Sequence, residues 1–370
     1  MVTRLDINTD VLSYYVGQSQ TPIKRLQDKV SVYNQVISGE KNPTFNQLSD
    51  IARIINIPTG LLMLQEPIEI DNDRLSFRTF NSKNLEGVSA ELKDTISEME
   101  LKQDFLRSEI DYEIEFVGKY TIHDNYMVLA DVVRKYLDIS KDYYKAVNKN
   151  PIQFFRERMN NLGVFVFFNG KIKDDTHRNL DINEFRGFVL SDKKAPIIFV
   201  NQKDSKNGQL FTLIHEFIHI FLNIDDIFNV IETDTYQFDP TEAFVNKVTA
   251  ELLVPESELN MYTNQDIESL SRKFNVSQYV IARRLLDLNY ISKNKFTEII
   301  HELEKNYNNI RPLTKSTGGD YNKNLLFRLD QDFFKYVDNA LKQNRITYTD
   351  AFNILGVGYK GFKTLKKGRR

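Results

Sequence analysis

Residues 215–219 read His-Glu-Phe-Ile-His inside an almost wholly apolar run, residues 211–222. Buried charges without compensation are costly, so three ionisable side chains in such a run need a partner. In a helix, His215 and His219 lie one turn apart with Cβ atoms about 5–6 Å from each other, so both imidazoles can bind one metal ion. Glu216 then lies beside the metal, where it can hold a water molecule and accept its proton. The segment predicts the HExxH helix of a zinc-dependent peptidase, with His215 and His219 as ligands and Glu216 as the base.

A catalytic zinc ion takes three protein ligands and keeps one position open, so a further ligand is expected downstream. Residues 239–255 predict a second helix, because Asp239 is suited to the N-cap and Pro255 ends the run. Glu242 and Asn246 share one face of that helix, and Glu242 is the preferred ligand. A structural role also fits Glu242, since it could form a capping box with Asp239. By spacing alone, the other candidates are Glu232, Asp234 and Glu251.

The two blocks together resemble the ImmA/IrrE metallopeptidases, whose pattern is close to FTLxHExxHxxL followed by ExxxNxxAxxLLxP. The resemblance implies that His215, His219 and Glu242 bind Zn²⁺ and that Glu216 is the catalytic base. It also implies a site-specific endopeptidase that cleaves a helix-turn-helix repressor of the XRE type. Such a peptidase would act in a stress-response, mobile-element or toxin–antitoxin circuit.

Two further roles are expected around such a metal. A donor should stabilise the oxyanion that forms during peptide hydrolysis, and the candidates are Tyr236, His177 and Tyr321. Outer groups should orient the ligands. Asn246 is one turn from Glu242, and it either fixes that ligand or ties the two helices together.

The segments around the two helices predict an α+β protein that is mostly helical and has a zincin-like core. Runs at 164–169, 185–190 and 196–201 are rich in β-branched and aromatic residues, and they predict a small, mostly antiparallel sheet over the zinc helices. Helix-turn-helix-like segments flank this core. The predicted domains are an XRE-like helix-turn-helix domain (1–69), a helical connector (70–145), the peptidase core with a trailing helix-turn-helix-like segment (146–310), and a C-terminal helical cap with a basic tail (311–370).

The N-terminal segment resembles an XRE helix-turn-helix domain only in part. Its predicted recognition helix offers Tyr33, Asn34 and Gln35 to DNA, but no lysine or arginine. Residues 1–65 carry six basic and five acidic side chains, which is a weak footprint for a DNA reader. A docking or homodimer role is slightly favoured over DNA binding. At the other end, residues 360–370 contain six lysines and arginines and no acid, and a solvated tail is favoured over non-specific nucleic-acid binding.

Length and composition limit the kind of protein that this sequence can encode. The 370 residues exceed one compact core, so several domains are expected. The chain has no cysteine, which excludes disulfides and thiolate metal sites. The sequence has neither an apolar signal core nor an apolar run of 18 residues, so a cytoplasmic protein without a membrane span is expected. The alternative function is a DNA-binding transcriptional regulator with a structural or vestigial zinc site, in which Glu216 would have no role.

Overall fold

The computed structural model describes residues 4–19, 23–55, 57, 59–67, 89–147, 150–224, 226–228, 239–261, 266–309 and 320–368. The chain divides into two compact units, Met1–Ser76 and Phe77–Arg370. Within the described residues, no helix is both long enough and apolar enough to cross a membrane.

The first unit is a small helical bundle. Its helices are Thr9–Gln18 (α1), Ile23–Lys29 (α2), Tyr33–Ile37 (α3), Phe45–Ile54 (α4) and a 3₁₀ turn, Thr59–Met63. Tyr33 is only 3% exposed and packs in the core of this unit, which corrects the expectation that its ring is offered to DNA. Asn34 and Gln35 are exposed, and Asn34 accepts a hydrogen bond from Gln27.

The second unit contains the remaining helices and the sheet. The helices before the first strand are Ala90–Glu109 (α5), Tyr126–Leu137 (α6), Tyr143–Ala146 (α7) and Pro151–Asn161 (α8). Those in the middle are Lys206–Leu222 (α9), Pro240–Leu253 (α10), Glu256–Asn260 (α11), Ile267–Phe274 (α12), Gln278–Asp287 (α13) and Lys293–Asn309 (α14). The last four are Tyr321–Arg328 (α15), Gln331–Lys342 (α16), Tyr348–Leu355 (α17) and Tyr359–Lys367 (α18). The mostly helical α+β class is thus confirmed.

The described strands form one mixed sheet in the order β1-β3-β2-β4. The strands are Phe165–Asn169 (β1), Gly187–Leu190 (β2), Ile197–Asn201 (β3) and Asp226–Phe228 (β4). The β2–β3 and β2–β4 pairs are antiparallel, whereas β1 and β3 are parallel. The predicted mostly antiparallel sheet therefore needs one correction. Strand β2 follows β1 in sequence but is not its neighbour in the sheet. Strand β3 lies between them, parallel to β1 and antiparallel to β2.

In β1, β2 and β3 both faces are buried, which explains why these strands are apolar apart from Gly187 and the asparagines that end β1 and β3. Val166, Val189 and Ile198 face the core that contains α9 and α10. Alternate residues such as Phe167 and Phe188 face a second core, which contains α5 and the four C-terminal helices. The sheet therefore lies between the HExxH helix and a second helical layer. Helices α5 and α6, which fall in the predicted connector, contribute buried side chains to these cores.

Candidate active site

Helix α9 carries the HExxH residues on its buried side. Its N-cap is Ser205, whose side chain accepts a hydrogen bond from the backbone of Gly208, and it ends at Asn223 in a left-handed conformation. The helix packs against β2 and β3 on one side and against α10 on another. His215, Glu216 and His219 are each 0% exposed. The imidazole and carboxylate groups of these three residues are therefore enclosed by protein rather than exposed to solvent.

Helix α10 brings Glu242 to the two histidines. Asp239 caps the helix by accepting hydrogen bonds from the backbone of Thr241 and Glu242, and Pro240 occupies the first turn. The Oε2 atom of Glu242 lies 3.2 Å from His215 Nε2, and its Oε1 atom lies 3.1 Å from His219 Nε2. The capping role therefore belongs to the Asp239 side chain, and the carboxylate of Glu242 faces the imidazoles.

The three side chains converge on one point. The two Nε2 atoms are 3.1 Å apart, and ligand atoms of all three residues lie within 4.8 Å of one another. Tetrahedral ligands about 2.1 Å from a zinc ion would be about 3.4 Å apart, so this arrangement needs little adjustment to hold a metal. The side chain of Glu242 is 29% exposed while both histidines are closed off. Among the described residues, Glu242 is therefore the member of this group that solvent contacts, and a bound metal would need its open position on that side.

Asn246 holds one of the imidazoles. Its Oδ1 atom lies 3.2 Å from His215 Nδ1. If Nδ1 carries the proton and donates it to this oxygen, the lone pair of Nε2 is directed at the other two ligands. Asn246 therefore contacts His215 rather than Glu242, and this one hydrogen bond both orients a ligand and joins α10 to α9.

The carboxylate of Glu216 extends toward the start of strand β2. A β-carbon built at Gly187 would lie 3.4 Å from Glu216 Oε1 and only 2.8 Å from the carbonyl oxygen of Phe199, and it would overlap the methyl group of Thr212. Only glycine fits this close approach of strand and helix. Sequence reasoning took Gly187 as part of a strand and missed this role, although an isolated glycine inside a strand is the signal for it.

Glu251, a spacing-based alternative for the metal ligand, belongs to a different cluster. It is 2% exposed and pairs with two buried arginines, Arg134 of α6 and Arg284 of α13. The backbone N–H of Glu256 also donates to its Oε2 atom at 3.2 Å. These contacts tie α10 to its neighbours and account for Glu251 without a metal. Glu232 and Asp234, the other two alternatives, lie outside the described residues.

Two of the three candidates for the oxyanion donor, His177 and Tyr321, lie among the described residues. Tyr236 lies outside the described residues. His177 is exposed in the loop after β1, and its backbone N–H donates to Asp175. The Tyr321 hydroxyl donates to Asp174 Oδ2 at 2.7 Å, and burial together with this hydrogen bond raises the pKa of Tyr321 to about 12. The described contacts of His177 and Tyr321 are therefore with the loop after β1, not with the three converging ligands.

Comparison with known families agrees with this geometry. Residues 160–286 match the Peptidase_M78 family model, described as the IrrE N-terminal-like domain. The matched segment contains the sheet and both helices α9 and α10, so it supports the ImmA/IrrE family and a metallopeptidase-type function for this part of the chain. Searches of curated proteins and of solved structures found no match. The family match does not extend to the N-terminal unit, and its XRE-like character stays a prediction.

Proposed function

We propose that this protein is a zinc-dependent, site-specific endopeptidase. The observation that carries the proposal is the convergence of His215, His219 and Glu242 next to Glu216, on two helices of a segment with a metallopeptidase family match. Two imidazoles and one carboxylate at near-tetrahedral spacing are a donor set that suits zinc. The proposal assigns the three ligands and the base to these four residues.

The chemistry follows from that assignment. Zinc held by His215, His219 and Glu242 would lower the pKa of the attacking water and polarise the scissile carbonyl. Glu216 accepts the proton from the attacking water and later delivers it to the leaving amine. Its complete burial supports this role, because the carboxylate is shielded from bulk solvent and exchanges protons with the reacting water and amine instead. Asn246 keeps the His215 ring in the orientation that binding requires.

The alternative is a DNA-binding regulator in which the metal is only structural. Structural zinc sites are closed by four protein ligands. Among the described residues, three side chains converge here, and Glu242 is partly open to solvent. A structural site also gives no reason to bury a glutamate beside the ligands. These observations favour catalysis.

An extended substrate chain would pair with the β4 edge of the sheet. The outer edge of β1 is covered, because the backbone N–H of Val166 donates to Asp330 and its carbonyl accepts from Arg156. Within the described residues, β4 pairs only with β2. An extended peptide can add to an edge strand through backbone hydrogen bonds. The β4 edge is next in sequence to α9, which makes it the better position for a scissile peptide.

The substrate class rests on the resemblance to the ImmA/IrrE peptidases. By that resemblance the partner is an XRE-type transcriptional repressor, encoded near this protein, in a stress-response, mobile-element or toxin–antitoxin circuit. A fold that supports many functions does not select a substrate by itself. The repressor is therefore the first substrate to test.

The test compares zinc-loaded wild type with Glu216→Gln on the neighbouring repressor, by intact-mass analysis of the products. Glutamine keeps the size of the side chain and removes its ability to accept a proton. We expect one cut by the wild type and none by the variant, with zinc bound to both. Equal cutting by both proteins would remove Glu216 from the mechanism. The absence of cutting, with the repressor response intact in cells carrying Glu216→Gln, would favour the regulator instead.

A further inference from the structure

The last two described helices are joined by a short turn. Helix α17 ends at Leu355 and helix α18 begins at Tyr359, so only three residues join them. Gly356 has a φ of 68° and ends α17 in the left-handed conformation that glycine adopts readily. Short turns of this kind, with a glycine, are typical of helix-turn-helix units.

The orientation of α18 is fixed by its buried side. Phe362 is 4% exposed, and its ring packs 5.7 Å from Phe334 of α16 and 5.6 Å from Phe352 of α17, measured between ring centroids. The buried residues of the pair are Ala351, Leu355, Gly361, Phe362 and Leu365. Because these side chains face the core of the second unit, the opposite face of α18 is held toward solvent.

The outward face of α18 is entirely basic and aromatic. Tyr359 is 67% exposed. The exposed lysines are Lys360, Lys363, Lys366 and Lys367. With Tyr359 they follow the spacing of one helix face. The helix contains no acidic residue, and in the described part of the chain none of these lysines forms an ion pair. The nearest acid in sequence, Asp350 of α17, is already hydrogen-bonded to Thr347.

Charge is also distributed unevenly along the chain. Residues 320–370 contain eleven lysines and arginines and five acidic residues, a net charge of +6, although the whole chain carries −2. The C-terminal segment is thus strongly basic in an otherwise acidic protein. A concentrated basic surface of this kind attracts a polyanion.

We propose that α17 and α18 form a DNA-binding helix-turn-helix, with α18 entering the major groove of double-stranded DNA and its lysines contacting phosphates. The helix spans about 13 Å, and the major groove of B-form DNA admits a helix, whereas that of A-form RNA does not. Tyr359 and Lys360 lie at the N-terminal end, where recognition helices contact base edges. Residues 359–367 are therefore a helix of the folded unit, which corrects the solvated-tail interpretation for these residues. This inference goes beyond the proposed peptidase activity and does not depend on it.

The experiment measures binding of the full chain to a fluorescein-labelled, random-sequence 25-base-pair DNA by anisotropy, as a function of salt. The variant replaces Lys360, Lys363 and Lys367 with glutamine. Each lost phosphate contact lowers the slope of log affinity against log salt by about 0.9, so the slope should fall by about 2.7 and affinity at 0.1 M salt by roughly 100-fold or more. The control makes the same change at Lys293, Lys295 and Lys305, three exposed lysines of α14.

We expect the α14 control to bind as wild type does, and both variants to unfold at the wild-type temperature because the replaced side chains are exposed. The proposal is overturned if the wild type does not bind the DNA in a salt-dependent way. It is also overturned if the α18 variant keeps wild-type affinity, which would place binding elsewhere, or if both variants weaken equally. Tighter binding of the wild type to an RNA duplex of the same sequence would replace DNA with RNA as the partner.

Discussion

Two adjacent arginines of α13 should differ sharply in their contribution to stability. Arg284 is 2% exposed and pairs with the equally buried Glu251, whereas the side chain of Arg283 is 53% exposed and pairs with Asp287 one turn away. Removing one partner of a buried ion pair costs about 3–5 kcal/mol because the other charge stays buried. An exposed pair contributes less than about 1 kcal/mol.

The expected size of the effect follows from the contacts that remain. In Arg284→Gln, Glu251 keeps Arg134, so we expect the lower end of the range, about 3 kcal/mol. At roughly 2 °C per kcal/mol for a large unit, the unfolding temperature should fall by about 6 °C. For Arg283→Gln we expect a change below about 2 °C.

The assay is thermal unfolding of metal-free wild type and both variants, followed by circular dichroism under identical conditions. Metal-free protein is required because zinc would stabilise the folded state and mask part of the loss. Equal losses for the two variants, or no measurable loss in Arg284→Gln, would refute the reasoning. Either result would mean that the buried cluster does not hold α10 against α6 and α13.

Three more predictions test the surroundings of the site. Asn246→Ala should weaken zinc binding about 10- to 100-fold in a chelator competition, because His215 loses the acceptor that orients its ring. Asn246→Asp keeps an acceptor and should bind zinc nearly as tightly as the wild type. Equal zinc affinities for all three proteins would contradict this. Gly187→Ala should lower the free energy of unfolding by about 1–3 kcal/mol and also lower the turnover rate, because the new β-carbon overlaps Thr212 of helix α9. An unchanged midpoint of denaturant unfolding would contradict this. Asp330→Asn should lower the free energy of unfolding by about 3 kcal/mol, because that carboxylate is fully buried near Arg156. Asp332→Asn, at a partly exposed position, should lower it by less than about 1 kcal/mol. The reverse order in thermal unfolding would be inconsistent with the structure.

The three candidate metal ligands were the part of the molecule that the sequence predicted best. The spacing of His215 and His219 is local, so helix geometry alone brings them together. Glu242 required a second helix to pack across the first, and its neighbour Asn246 could be placed on the right face but not assigned a partner. The packing angle between the helices, which decides that Asn246 contacts His215, arises from tertiary contacts that no local pattern encodes.

Long-range pairs were the part that sequence could not supply. Nothing local indicates that Glu251 meets Arg134 and Arg284, which are separated from it by 117 and 33 positions. The parallel pairing of β1 and β3 was missed for a similar reason, because strand periodicity fixes which residues share a face but not the direction of a neighbour. The lysines of α18 were visible in sequence, but only the burial of Phe362 shows that they share an ordered helix face.

The most direct test is the zinc content of purified wild type, Glu242→Gln and Glu251→Gln, measured by mass spectrometry of the metal after dialysis against a weak chelator. Both variants replace a glutamate of the same helix, and only Glu242 faces the two histidines. We predict about one zinc ion per chain in the wild type and in Glu251→Gln that circular dichroism shows to be folded, because this change destabilises α10 without touching the ligands, and a large loss in Glu242→Gln. Full zinc content in Glu242→Gln, or zinc lost only from Glu251→Gln, would contradict the assignment of the catalytic metal site.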